Sequence, residues 1–222
     1  MNENFTDIVD EVVENGYAKI ENFISKQEAF ELEKQTTKAF KKAKKDFYHI
    51  ETEFTKVLSI NEESSQKIKY FQYLNKFFVN KNIINFVQNY FNSDEIEISK
   101  IFLAESSNSG EEVNVLPYKM HFDKTRYLKF MIYLRDVENR DGGVTFAKKE
   151  WNTKLQEELL SKQSLKEENV VEINDMSVVE EITGPAGTVA IFDTNITHKA
   201  GQVLGEKKRL VLRIDTRLKT NV

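Results

Sequence analysis

The placement of its turn-forming residues constrains this chain most. Seven of the eight glycines and both prolines lie beyond residue 100. Glycine and proline punctuate short strands and weaken helix interiors, so the two halves must be built differently. In the first hundred residues, Phe5, Ile8, Val9, Val12 and Val13 recur at i, i+3, i+4, i+7 and i+8, one stripe of a helix. Gly16 stands where a C-terminal cap belongs, and Tyr17 to Phe23 alternates like a short strand. Ser25-Lys26-Gln27-Glu28 is a capping box that opens a helix through Ala29, Leu32, Ala39, Phe40 and Ala43. Phe47 to Ile60 has some strand character. Two helical stretches follow between Glu62 and Phe91, with stripes Phe71, Leu74, Phe78 and Ile83, Ile84, Val87, Tyr90, Phe91.

The period then changes. Ile96–Leu103, Val113–His121, Tyr127–Val137, Val144–Phe146, Thr188–Phe192 and Arg209–Leu218 read as strands. The polar stretch between Lys148 and Ile182 predicts a helix from Trp151 to Ser161, then an irregular or edge-strand segment. Helices first and short strands later predict an α+β fold, with helices packed on a β-sandwich or barrel. A chain of 222 residues suits one core. The expectation is one domain over 1–222: a mainly helical shell over 1–95, and a β core over 96–222 with an insert around 148–182.

Two strands have informative parity, because side chains alternate faces along a strand. In 209–217 the even positions are Leu210, Leu212, Ile214 and Thr216, and the odd ones Arg209, Val211, Arg213, Asp215 and Arg217. In 127–135 the even positions are Leu128, Phe130, Ile132 and Leu134, and the odd ones Tyr127, Lys129, Met131, Tyr133 and Arg135. Each strand therefore has an oily face for the helices and a polar face that is either solvated or lines a pocket.

Composition narrows the chemistry. Cysteine is absent, which excludes disulfides, thiolate metal sites and cysteine nucleophiles. A net charge of −4 argues against a general nucleic-acid binder. No segment reaches the run of about 18 apolar residues that a membrane span needs. The acidic N-terminus lacks the shape of a signal peptide. No nucleic-acid or membrane partner is expected, and the location expected is cytoplasmic.

Only three histidines are available, His49, His121 and His198. His121-Phe122-Asp123 ends an expected strand, so His121 and Asp123 point the same way and can converge on one metal ion. If His198 folds back beside them, two histidines and a carboxylate form a facial set with open positions, the usual holder of non-haem Fe(II) in oxygenases. Arg209 stands eleven positions beyond His198, at the start of the alternating strand. A buried guanidinium grips a carboxylate through two parallel hydrogen bonds, the counter-charge that an iron-chelated 2-oxo acid requires.

On these residues the sequence resembles the Fe(II)/2-oxoglutarate-dependent dioxygenases, and among them the phytanoyl-CoA dioxygenase-like group. The segments that carry the resemblance are Tyr118–Asp123, Lys129–Val137, Gly142–Phe146, Gly187–Asp193 leading to His198 and Arg209, and Asn15–Ser25 at the start. The resemblance implies a double-stranded β-helix (jelly-roll, cupin-like) core with flanking N-terminal helices. It implies Fe(II) held by His121, Asp123 and His198, with 2-oxoglutarate and O2 as co-substrates and Arg209 on the C5 carboxylate. It also implies a hydroxyl from Tyr133 that assists the arginine. Lys129 is expected as a second carboxylate contact, and Arg213 as a contact to substrate or co-substrate. The group's Pro-Gly-Ser-His stretch is replaced here by Ala147-Lys148-Lys149-Glu150-Trp151, which weakens any transfer of acyl-CoA specificity. Asp123 separates the chain from the halogenating branch, which lacks that carboxylate.

The expected activity is hydroxylation of a small polar molecule coupled to decarboxylation of 2-oxoglutarate to succinate. An anionic substrate is favoured if Lys119, Lys124, Arg126 and Lys129 rim the mouth. Two alternatives stand beside it: a peptidyl, prolyl-type hydroxylase, and a non-catalytic jelly-roll protein that binds a metal or ligand. His49 is expected on the surface or in packing, the 41–45 basic run at a solvated helix end, and Trp151 as a helix anchor.

Overall fold

The capped stripes of the first half form helices. The structure, a computed structural model, describes residues 5–110, 113, 115–123, 125–152, 169–173 and 175–219. Helix α1 (Phe5–Asn15) ends at Gly16, whose φ of 84° only glycine adopts freely. Helix α2 (Lys26–Lys42) starts at Ser25, whose hydroxyl accepts from Glu28 N at 3.1 Å, and ends with Lys41 and Lys42 at its negative dipole end. The short helices α3 (Glu62–Lys67) and α4 (Asn75–Phe78) lead into α5 (Lys81–Phe91), capped by Asn80 in front and by left-handed Asn92 behind.

Among the described residues, twelve strands form two antiparallel sheets. The larger is ordered β1 (Tyr17–Ile20), β10 (Val189–Asp193), β6 (Leu128–Tyr133), β12 (Arg209–Leu218), β4 (Ile96–Ser106), β3 (Thr55–Ile60) and β2 (Tyr48–Glu51). The smaller is ordered β8 (Asn169–Val170), β5 (His121–Phe122), β11 (His198–Lys199), β7 (Val144–Ala147) and β9 (Val179–Ile182). This is the jelly-roll core with flanking helices that the sequence led us to expect. Parity decides its packing. Leu210, Leu212 and Ile214 of β12 and Leu128, Phe130 and Ile132 of β6 join Val12 of α1, Leu32 of α2 and Phe86 of α5 in the main core. The opposite face turns towards the smaller sheet, where Val211, Ala190 and Phe192 meet Val144, Phe146 and Ile182 in a second cluster.

Two expectations change. The first 95 residues supply more than a shell, since β1, β2 and β3 all belong to the larger sheet. The expected strand at 113–121 shrinks to His121–Phe122, because 115–119 turns through Pro117, which lacks the N–H a ladder needs. A helix has begun by 149–152, while 153–161 of the expected Trp151–Ser161 helix lie outside the described residues.

Registry on the cavity face of the larger sheet sets out the site. Arg209 lies opposite Ser106, which lies opposite Thr55. Val211 lies between Ala104 and Tyr133, Arg213 between Phe102 and Met131, and Asp215 opposite Lys129.

Candidate functional site

The smaller sheet brings the two distant histidines together. His121 of β5 and His198 of β11 are directly paired across the ladder, with ring centroids 4.6 Å apart. Asp123 follows β5, its N–H donating to Thr194 O at 2.9 Å, which turns the carboxylate towards both rings. Asp123 Oδ1 lies 3.5 Å from His121 Nε2 and 3.8 Å from His198 Nε2. One ligand atom from each of the three lies within 4.8 Å of the others.

The far side of each ring fixes its tautomer. Nδ1 of His121 is 2.7 Å from Lys119 O, and Nδ1 of His198 is 2.9 Å from Ile196 O. A carbonyl only accepts, so each Nδ1 carries the proton and each Nε2 keeps its lone pair for the shared centre. Burial, then the charge of Lys129, lowers the His198 pKa to about 3, so the ring is neutral. Burial alone would raise the Asp123 pKa. The Lys129 ammonium, which donates to the carboxylate, outweighs it and holds the carboxyl well below its usual range. Two imidazoles with Nε2 turned inward and a carboxylate are the donor set that a divalent metal of the Fe(II) type takes.

A cavity of about 420 Å³ opens beside this cluster. Arg209 lies in its wall and is 6% exposed. Its Nη1 donates to Gly142 O and, at 2.7 Å, to Gly201 O, and Nη2 donates weakly to Ser106 Oγ at 3.4 Å. Nε has no hydrogen-bond partner, and no carboxylate pairs with this guanidinium among the described residues. Burial accordingly pushes its pKa down. A desolvated cation with no paired carboxylate is costly to keep. Glycine makes this cradle possible: a Cβ on Gly201 would overlap the Gly143 carbonyl, and one on Gly142 would press on the Gly201 carbonyl at 2.8 Å.

The expected partners of Arg209 are placed differently. Tyr133 is fully buried and does not line the cavity. Its hydroxyl donates to Ile182 O at 2.7 Å and accepts from Val144 N at 3.0 Å, so its donor is spent tying β6 to β7 and β9. Lys129 does line the cavity, and its ammonium donates to Asp123 Oδ2 at 2.6 Å, a bond that the expectation of a second carboxylate contact did not include. Arg213 lines the cavity, as parity suggested. His49 does too, lying exposed against Phe102, so it is more than a surface residue.

Of the basic cluster, Lys124 lies outside the described residues. Arg126 is held by Asp193 at 2.6 Å and by Tyr90 at 3.0 Å, which anchors α5 to β10 and leaves the arginine off the rim. Lys119 does not line the cavity.

Sequence reasoning missed several supports. Buried Asn152 donates to Ala147 O at 2.6 Å and accepts from Thr197 N at 2.9 Å, clamping the residue before His198. Thr55 and Tyr118 share a 2.5 Å hydrogen bond in the cavity wall. Nothing in the spacing of these polar residues marks them. The closeness of Gly201 to Gly142-Gly143 had a signal in the glycine skew.

A family model described as phytanoyl-CoA dioxygenase (PhyH) matches residues 12–211. No curated protein matches the chain. Among solved structures, the epimerase SnoN in complex with Fe3+, alpha ketoglutarate and nogalamycin RO is similar at a TM-score of 0.70 and 12% identity, over 96% of this chain and 82% of that one. HygX from Streptomyces hygroscopicus with nickel and 2-oxoglutarate bound gives 0.68 and 12%, over 96% and 87%. The carbocyclase SnoK from nogalamycin biosynthesis gives 0.67 and 12%, over 97% and 84%.

Proposed function

The chain belongs to the phytanoyl-CoA dioxygenase family, so it is a non-haem iron, 2-oxoglutarate-dependent oxygenase, and on that premise we propose that His121, Asp123 and His198 hold its Fe(II), that Arg209 anchors the C5 carboxylate of 2-oxoglutarate, and that the substrate is a small polar molecule. The observation that carries the reading is Arg209: a buried guanidinium with no paired carboxylate among the described residues, in the same cavity as the two-histidine, one-carboxylate cluster.

When bound, iron and 2-oxoglutarate supply the oxidising power, using O2 and releasing succinate and carbon dioxide as a C–H bond of the substrate is oxidised. The chain's own residues do the positioning. Lys119 O and Ile196 O hold the imidazoles with Nε2 inward. Lys129 occupies one Asp123 oxygen and leaves the other towards the histidines. Arg209 presents a buried, charged fork in the cavity wall. Val57, Ala104 and Val211 make the cavity wall apolar between the Arg209 row and the Arg213 row, which keeps water from the co-substrate.

A small-molecule substrate is supported by the cavity's size, which falls within the range that takes drug-sized ligands. HygX also has a structure with nickel, 2-oxoglutarate and hygromycin B bound. The test is O2-dependent conversion of 2-oxoglutarate to succinate by the Fe(II)-loaded protein. Turnover that is lost in Asp123→Ala supports the assignment. Unchanged turnover in that variant refutes it.

A further inference from the structure

We propose that His49 and Arg213, both packed on the ring of Phe102, form a subsite for an anionic group of the substrate, a carboxylate or a phosphate. The proposal rests on the metal and co-substrate reading above, and names what the other end of that cavity recognises.

Arg213 is two residues beyond Arg209 on the same face of β12, about 7 Å further along the strand. The Arg209 row is committed to the co-substrate, so the Arg213 row is where the cavity continues. Arg213 is held in place from two sides. Its Nε and Nη2 donate to the two oxygens of Asp215 at 2.8 and 3.1 Å, and its guanidinium carbon lies 4.1 Å from the Phe102 centroid. Asp215 is itself buried. A guanidinium has five N–H donors, and Asp215 takes two. No described residue takes Nη1, so the remaining edge of the fork is free to meet a ligand in the cavity that Arg213 lines. Bidentate recognition of an oxyanion needs such an oriented edge.

His49 comes from β2 at the margin of the sheet, its ring 5.5 Å from that of Phe102. Its imidazole nitrogens have no hydrogen-bond partner among the described residues. The local field has a definite sign. Besides burial, Arg213 and Lys100 both act to remove the His49 proton, opposed only by Asp215. Two cationic side chains, Arg213 and Lys100, therefore act on this end of the cavity. An adjoining groove shares Phe102, Asp123, Tyr127 and Lys129 with the cavity and runs on past Lys100 to Glu62, Glu63 and Glu97, so a substrate held at this subsite by its anionic end has room to extend a neutral or cationic part.

The test uses the protein loaded with Fe(II) and 2-oxoglutarate without O2. The probes are matched pairs, each a small carboxylic acid or phosphate monoester beside its methyl ester or parent alcohol. The readout is each probe's effect on the visible absorption of the loaded site. The anionic members are expected to perturb it with saturable affinity, and their neutral partners not to. Arg213→Gln should raise the half-saturation concentration about tenfold or more. His49→Ala should raise it as well, while 2-oxoglutarate affinity measured without a probe stays the same in both. His49 is exposed, so its replacement tests the subsite even if Arg213→Gln unfolds for want of the Asp215 pair. Arg213→Lys, which keeps the charge and loses the fork, should fall between wild type and Arg213→Gln. Neutral probes that act as well as anions, or variants that bind anions unchanged, overturn the proposal. A protein that binds 2-oxoglutarate and ignores every anion overturns the subsite alone. A protein that binds no 2-oxoglutarate overturns the metal-centre reading and the subsite with it.

Discussion

Replacing Arg209 with methionine separates a structural arginine from one held for a ligand. The change keeps an elongated side chain and removes the charge. In the ligand-free protein the guanidinium has two carbonyl acceptors, one weak hydroxyl contact, an unpaired Nε and no carboxylate among the described residues. Its removal leaves Gly142 O and Gly201 O without their donor, at about 1–3 kcal/mol for each lost buried bond at most. It also relieves the burial of an uncompensated cation, which acts in the opposite direction. Ligand-free Arg209→Met should therefore unfold within about 2 kcal/mol of wild type by denaturant midpoint, with the m-value unchanged. The co-substrate loses two charge-assisted hydrogen bonds, each about 1.5–3 kcal/mol. The low end sums to about 3 kcal/mol, which is roughly a hundredfold or more in dissociation constant. Isothermal titration of 2-oxoglutarate into the metal-loaded protein measures it. A variant that binds within about threefold of wild type refutes the assignment. So does one whose ligand-free fold collapses by the roughly 3–5 kcal/mol expected when half of a compensated buried pair is removed, since Arg209 would then have a structural partner.

Lys129→Met should weaken metal affinity by about ten- to a hundredfold, as loss of a group that orients a metal ligand does, and competition with a chromophoric chelator measures it. If only 2-oxoglutarate affinity falls, Lys129 serves the co-substrate, not Asp123. Gly201→Ala puts a methyl group against the Gly143 carbonyl. It should cost about 1–3 kcal/mol and weaken 2-oxoglutarate binding through the Arg209 cradle, and an unshifted urea midpoint would contradict this. Tyr90→Phe removes the 2.5 Å hydrogen bond to Asp193 that ties α5 to β10. It should lower stability by about 1–3 kcal/mol, read from chemical denaturation, whereas Tyr90 contributes nothing to co-substrate affinity.

Most of the site was legible because it rests on periodicity and on scarcity. The strict alternation of β12 and β6 placed Leu210, Leu212, Phe130 and Ile132 in the core, and Arg209, Arg213 and Lys129 on the cavity side. With three histidines in the chain, a two-histidine site had few possible members, and the pairing of β5 with β11 brings His121 and His198 together. What could not be read is what depends on partners far away in sequence. Tyr133 has the parity of a cavity residue, yet Ile182 O and Val144 N from two other strands close over its hydroxyl. Lys129 reads as a spare cation until Asp123 is seen across from it. Arg126 sits beside the metal motif in sequence, but Asp193 and Tyr90 take it. His49 comes from a strand whose weak alternation hides its place beside β3 and β4 at the cavity's margin. Asn152 and Thr55 carry no pattern at all, since a buried polar side chain is defined by the backbone groups it satisfies.

The central claim is that one cavity holds a metal at His121, Asp123 and His198 and a 2-oxo acid against Arg209. Anaerobic titration of the Fe(II)-loaded protein with 2-oxoglutarate, followed by the weak visible charge-transfer absorption of the chelate, tests metal, co-substrate and their contact in one measurement. The expected band saturates at one equivalent in the wild-type protein, is absent in Asp123→Ala, and needs far more 2-oxoglutarate in Arg209→Met. Tight metal binding with no band at any 2-oxoglutarate concentration would contradict it.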